Sequence, residues 1–336
     1  MSSTKDTVTI IVPVYNGERT IAKCLDSLVH QDYEPALFDI VVVENGSTDQ
    51  SKSIIEQFPV ILVQCEKKGP AYARNFGAKY SQADILAFTD ADCIADPNWL
   101  RELVKPYSQN QDIAGCGGRI EAAIDQYSTV EEQFCQKKNL LCNYLSGSHE
   151  YLPHLYTANA SYRKAIFDLV GGFNSNLLTA EDVDLSWRVQ LISGKQLEYV
   201  DQAIIYHHHR STRKALARQY RQYGFGEILI DTLYRDAENY PRALGYQLRL
   251  IGKQILAIIT YISSMIIRSV RRLVGKIDEY TALEPCLNLL VEWNNIIGKF
   301  SALWATRAMS SVEIVFKSDP NAMINRFYGN NQRGVE

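Results

Sequence analysis

Ile85-Leu86-Ala87-Phe88-Thr89-Asp90-Ala91-Asp92 is an apolar run that ends in two acids. Four consecutive apolar residues read as a buried strand, which puts the acids at its carboxyl end. In an extended chain, residues i and i+2 project to the same side. Two carboxylates placed that way repel each other unless a cation lies between them. A divalent metal suits them, and a metal held by two carboxylates keeps coordination positions for phosphate oxygens. The stretch therefore predicts a metal–diphosphate site at the end of a strand.

The residues before it repeat the theme. Strands are expected over 8–14, 39–44, 60–64 and 85–89, and helices over 19–30, 51–58 and 70–80. Gly69-Pro70 is a sound helix start, since proline is tolerated in a first turn. This alternation predicts an α/β fold with a parallel, doubly wound sheet. Such sheets bind ligands at the carboxyl ends of their strands. Pro13-Val14-Tyr15-Asn16, Glu44-Asn45-Gly46-Ser47 and Asp90-Ala91-Asp92 all fall there. Their shared placement, more than any one of them, marks the site.

Beyond residue 96 the pattern is mixed. Helices are expected over 130–144 and 182–192, and strands over 156–162, 197–200 and 203–206. After residue 212 helical patterns dominate, over 213–234 and 249–273. The second contains the apolar run 255–267, interrupted by Thr260, Ser263 and Ser264 and flanked by Lys253, Arg268, Arg271 and Arg272. A span needs about 20 apolar residues, so this run reads as a buried or interfacial helix. The arginines suit an anionic membrane face. Burial against the rest of the chain, or in a homo-oligomer, explains the same stripe.

The 336 residues are 46% apolar and 22% charged, an ordinary globular composition. A formal net charge of −3 argues against nucleic acid as a partner. The seven cysteines are odd in number and have no CxxC spacing, which indicates free thiols rather than zinc or disulfides. Residues 1–7 are polar and do not form a signal peptide. A cytoplasmic protein is expected, placed peripherally at the inner face of the membrane if the last helices bind lipid.

Several segments together resemble the family 2 glycosyltransferases. They are Val8-Thr9-Ile10-Ile11-Val12-Pro13-Val14-Tyr15-Asn16, Glu44-Asn45-Gly46-Ser47-Thr48-Asp49, Lys68-Gly69-Pro70-Ala71-Tyr72-Ala73-Arg74-Asn75 and Asp90-Ala91-Asp92. Gly171-Gly172-Phe173 and Ala180-Glu181-Asp182-Val183-Asp184-Leu185-Ser186-Trp187-Arg188 continue the match in the same order. Glu44 departs from the family's usual Asp. The resemblance covers about residues 7–225. It implies a GT-A fold: a Rossmann-like nucleotide-sugar-binding sheet joined to a mixed acceptor region, here with a C-terminal helical extension. On that reading residues 1–235 form the transferase domain, with a nucleotide-binding half over 1–110 and an acceptor half over 111–235. Residues 236–336 form the helical region.

The resemblance also implies an inverting, metal-dependent transfer of a sugar to an acceptor hydroxyl. The donor is a nucleotide-sugar, a UDP-sugar first of all. The acceptor is a glycan or lipid-linked chain in envelope or extracellular polysaccharide assembly. Pro13, Tyr15, Asn16 and Glu44 are implied to hold the nucleotide, Arg74 its diphosphate, and Asp90 the ribose or a metal-bound water. Asp92 is implied to bind the Mn or Mg ion, with a late histidine, His207, completing its site. Asp182 is the implied base and Glu181 orients the sugar. Bland readings compete. Acids in a first helical turn, with Thr179 as N-cap, are common for dipole reasons alone. Trp187 fits a core as well as a sugar face, and Arg188 can pair with Asp184. Gly224-Phe225-Gly226, after Arg218, Tyr220, Arg221 and Tyr223, reads either as a hinged lid or as part of a packed helix.

Two other functions fit a nucleotide-binding sheet. A sugar nucleotidyltransferase needs a glycine-rich basic loop after the first strand, and Tyr15-Asn16-Gly17-Glu18-Arg19 is not one. A non-catalytic nucleotide-sugar-binding or scaffold protein is the other, but all the acids expected of a transferase are present.

Overall fold

In the computed structural model, the described residues are 6–138, 151–177, 179–235, 237–241, 243–273 and 275–305. They fall into two compact units. One contains residues 6–123 and 151–208, and the other residues 124–138 and 209–305.

The first unit opens with β1 (Val8–Val14), α1 (Ile21–Val29), β2 (Phe38–Glu44), α2 (Ser51–Ile55), β3 (Ile61–Gln64), α3 (Pro70–Ala78) and β4 (Ile85–Phe88). The β1–β4 and β1–β2–β3 pairings are parallel. Alternate residues of these strands go to opposite faces. Ile10, Val12, Val42 and Ala87 pack with α1, whereas Ile11, Val41, Val43 and Phe88 pack with α3. Both faces of the sheet are covered, which is why these strands read as unbroken apolar runs.

The chain continues through β5 (Cys93–Ala95), α4 (Trp99–Gln109) and β6 (Ile113–Ala122). The helix α5 (Val130–Lys137) belongs to the second unit. Then come β7 (Ala160–Arg163), α6 (Lys164–Leu169), α7 (Glu181–Ser193) and β8 (Gln196–His207). All eight strands form one sheet in the order β3-β2-β1-β4-β7-β6-β8-β5. The parallel half ends at β4, and β7 runs antiparallel to it. The fold is therefore an α/β sheet with a parallel first half and a mixed second half.

The mixed half corrects several expectations. The two short strands near 197–206 are one strand, β8, with a register shift against β6 between Gly118 and Arg119. Part of the expected strand over 156–162 is a 3-10 turn, Thr157–Asn159. The elements β5, α4 and β6 had no counterpart in the reading. Glycines hid β6: a Cβ on Gly118 would lie 2.1 Å from the Ala203 carbonyl, and one on Gly115 would lie 2.7 Å from Tyr162. Close strand contacts select glycine there, against strand propensity.

The second unit contains α5, α8 (Arg213–Tyr234), α9 (Ala243–Leu273) and α10 (Glu279–Ala305). The expected helix over 130–144 begins as α5, and its end lies outside the described residues. Phe134, Cys135, Leu216, Leu287 and Val291 form a core of their own. The segment Gly224-Phe225-Gly226 is uninterrupted helix in α8, not a hinged lid. A Cβ on Gly224 would lie 2.0 Å from the Asn295 carbonyl, and one on Gly298 would lie 2.0 Å from the Arg221 carbonyl. The glycines let α8 and α10 cross at backbone contact. The apolar stretch of α9 is mostly exposed: Leu248–Leu273 is long and apolar enough to cross a membrane, and little of it is fully buried.

Candidate active site

The ends of β1 and β2 are tied into one ledge. Asn16 takes a left-handed φ of 52°. Its Oδ1 accepts from the Thr48 backbone N at 2.8 Å, and its own backbone N donates to Ser47 Oγ at 3.0 Å. Gly17 and Glu18 bond in the same way to Ser51 and Asp49. Glu44 is buried and accepts from the Ser47 backbone N, so it shapes this turn as well as facing it. Pro13 lies inside β1 opposite Val43 of β2. Tyr15 is 57% exposed, with the Lys68 ammonium 5.7 Å from its ring centre. An open aromatic face beside a lysine suits a nucleotide base and its phosphates.

Asn45, in the cluster at the end of β2, joins three segments. Its Nδ2 donates to the carbonyls of Cys65 at 2.9 Å and Lys67 at 2.8 Å. Its Oδ1 accepts from the Gly69 backbone N at 2.8 Å. One buried amide thus fixes the start of α3 against the ends of β2 and β3.

Arg74 of α3 is the central contact. One guanidinium nitrogen donates to Asp90 Oδ1 at 2.8 Å and the other terminal nitrogen to Glu181 Oε1 at 2.9 Å. The side chain is 5% exposed and stacks over the Phe173 ring. Burial alone would lower its pKa, but Asp90 and then Glu181 outweigh that and hold it above its ordinary range. Asn75 pins the neighbouring turn: its Nδ2 donates to the Phe173 carbonyl at 2.7 Å and its Oδ1 accepts from the Phe173 backbone N at 2.8 Å. Gly172, at φ +70°, has no room for a Cβ beside Asn75. The Arg-Asn and Gly-Gly-Phe motifs are therefore two sides of one joint between α3 and the approach to α7.

The helix α7 starts at Glu181, with Ala180 as its cap in a left-handed conformation, φ 61°. Thr179 is not the cap. The left-handed backbone costs a non-glycine residue about 1–2 kcal/mol. Asp182 is partly exposed, and its Oδ1 accepts from the Val183 backbone N at 2.9 Å. Burial of the carboxyl pushes its pKa up to about 7, with Glu181 adding to the rise and Arg74 opposing it. Asp184 is fully buried and grips Arg188 through bonds of 2.8 and 2.6 Å. Trp187 is fully buried, with its indole N–H on the Leu152 carbonyl, so it is a core residue rather than a sugar platform.

Asp92 and His207 meet through the antiparallel pairing of β5 with β8, in which Cys93 lies opposite His207. His207 Nε2 is 3.4 Å from Asp92 Oδ1. One donor atom each of Asp92, Cys93 and His207 lie within 4.8 Å of one another. Carboxylate oxygen and imidazole nitrogen at that separation fit a divalent ion of the Mn class. The Cys93 sulfur is buried and faces the Ala158 carbonyl. Its thiol is held well above the ordinary range by burial, then by Asp92 and Asp90.

The expected residues thus gather in three groups: Tyr15, Asn16 and Glu44 on the ledge; Arg74, Asp90 and Glu181, with Asp182 beside them; and Asp92 with His207. Residues 9–171 match the model of glycosyl transferase family 2. Glycosyltransferase AglE of Haloferax volcanii is 31% identical over 241 residues, covering 70% of this chain and 77% of that one. The glucosyl-dolichyl phosphate glucuronosyltransferase of the same organism is 26% identical over 269 residues, covering 73% and 83%. Among solved structures, the mannosyltransferase PcManGT of Pyrobaculum calidifontis, in complex with GDP-Man and Mn2+, superposes with a TM-score of 0.62. It is 18% identical, with 90% of this chain and 89% of that chain covered. With motifs, sheet order and relatives in agreement, the chain belongs to the family 2 glycosyltransferases and has their GT-A fold.

Proposed function

We propose that the protein moves a sugar, with inversion, from a nucleoside-diphosphate donor to a hydroxyl of a glycan or lipid-linked acceptor. The bridge from Asp90 through Arg74 to Glu181 carries this reading. It couples the acid pair after β4 to the acid pair that starts α7, as a two-substrate site requires.

Tyr15 stacks on the base, and Glu44 accepts from an imide N–H, which favours a UDP-sugar. Asp90 serves the ribose. Asp92 and His207 hold the divalent ion, Mn or Mg. When bound, that ion supplies charge neutralisation for the diphosphate. Arg74 adds positive charge on the same side while holding Glu181, which orients the sugar. Asp182 takes the proton of the acceptor hydroxyl as its oxygen bonds to the anomeric carbon and the bond to the diphosphate breaks. A carboxyl ionising near neutrality suits that task. The relative named for glucosyl-dolichyl phosphate supports a lipid-linked acceptor, as in glycolipid or envelope polysaccharide assembly.

Turnover of nucleotide-sugars with Mn2+, followed by the anomeric configuration of the product, tests the reading. Asp182→Asn is expected to keep donor binding and to lose transfer by about 10²–10⁴-fold. Full transfer by Asp182→Asn, or retention of configuration, would reject it.

A further inference from the structure

The helix α9 has a face that nothing in its own unit covers. Leu248, Ile255, Ile259, Ile262, Ile266 and Leu273 are all exposed. At 100° per residue they lie within an arc of about 60°, along about 38 Å of helix. This is far from the scattered apolar exposure of an ordinary surface.

The rest of the helix says what the stripe meets. From Ala243 to Leu273 there are five arginines and lysines and no acidic residue, in a chain of formal net charge −3. Leu256, Ile267 and Val270 are exposed too and widen the apolar arc to about 140°. The exposed Arg249, Lys253 and Arg271 fall along its far border. None of the three makes an ion pair among the described residues. An apolar stripe edged by unpaired cations complements a bilayer surface of anionic lipids. A second copy of the same helix would bring like charges together.

The other side of α9 decides its orientation. Gln254 bonds to Glu292 at 2.8 Å and to Asn295 at 2.9 Å on α10, and Arg268 pairs with Glu284. Were α9 to span a bilayer, these acids of α10 would enter hydrocarbon. The helix instead lies along the surface.

We infer that α9 is an in-plane membrane anchor that binds anionic bilayers through the Leu248–Leu273 stripe and its Arg249–Lys253–Arg271 border. This does not rest on the transfer reaction. The test is co-sedimentation of the full chain with phosphatidylcholine vesicles, with and without phosphatidylglycerol. Binding is expected to need phosphatidylglycerol and to be released by alkaline carbonate. The double variant Ile259→Glu/Ile266→Glu should lose at least 10-fold in partitioning. Arg249→Gln/Lys253→Gln/Arg271→Gln should lose about 100-fold at low salt, at about 1 kcal/mol per cation. Unchanged circular dichroism and donor turnover control for folding. Four results would overturn the inference: binding indifferent to both variants, resistance to carbonate, a dimer in place of vesicle binding that Ile259→Glu/Ile266→Glu dissociates, or binding only after removal of residues 306–336.

Discussion

Asp182 shows how a half-buried acid ties stability to pH. A carboxyl that ionises near pH 7 in the folded chain, against 3.8 unperturbed, keeps a native proton over that interval that the unfolded chain has lost. The native contribution therefore falls as pH rises from about 4 to 7, and the deficit is complete above it. Without donor or metal, Asp182→Asn should be more stable than the parent at pH 8, by on the order of 2–4 kcal/mol, and little different at pH 4. Urea denaturation at the two pH values measures this, and a difference independent of pH would contradict it. The placement of Asp182 and Asp92 was readable because each sits in a short motif at the end of a regular element. The joints made by Asn45 and Asn75 were not. Their partners, Lys67 and Phe173, lie across the fold, and an isolated asparagine next to a glycine or an arginine looks like a turn or a helix-surface residue.

At the scale of elements, the parallel strands were readable because burial on both faces makes them continuously apolar. In the mixed half α7 and the two ends of β8 were readable, but β6 was not because it is glycine-rich, nor α4 because it contains Pro106. Yet Trp99, Leu100, Leu103, Val104 and Tyr107 are the buried face of α4 and keep helical spacing, so that signal was present but was outweighed by proline. The α8–α10 crossing makes the strongest demand on a single residue type. Gly224→Val would place branched carbon against the Asn295 backbone, and overpacking of this kind costs about 1–3 kcal/mol or more. Loss of helical ellipticity at a lower temperature is expected, and an unchanged melting curve would show that the helices can separate without penalty.

At the scale of the molecule, the cores are distinct. Two apolar clusters line the faces of the sheet, and a third, around Phe134 and Leu287, belongs to the helical unit. Calorimetry should resolve two unfolding events, and Mn2+ with a nucleoside diphosphate should raise only the one that melts the sheet. A single transition raised as a whole would show that the units fold as one. The family relation was readable from ordered motifs in the first two thirds of the chain. The exposure of α9 was not, since a stripe reads the same whether it faces a core, a partner or lipid. Arg74 has a consequence for inheritance. Its two carboxylate partners come from segments 91 residues apart, yet each depends on the same guanidinium. No single exchange at 74, 90 or 181 keeps both the charge and the reach of the two bonds. Across descendants of this sequence the three positions should change as a set or not at all.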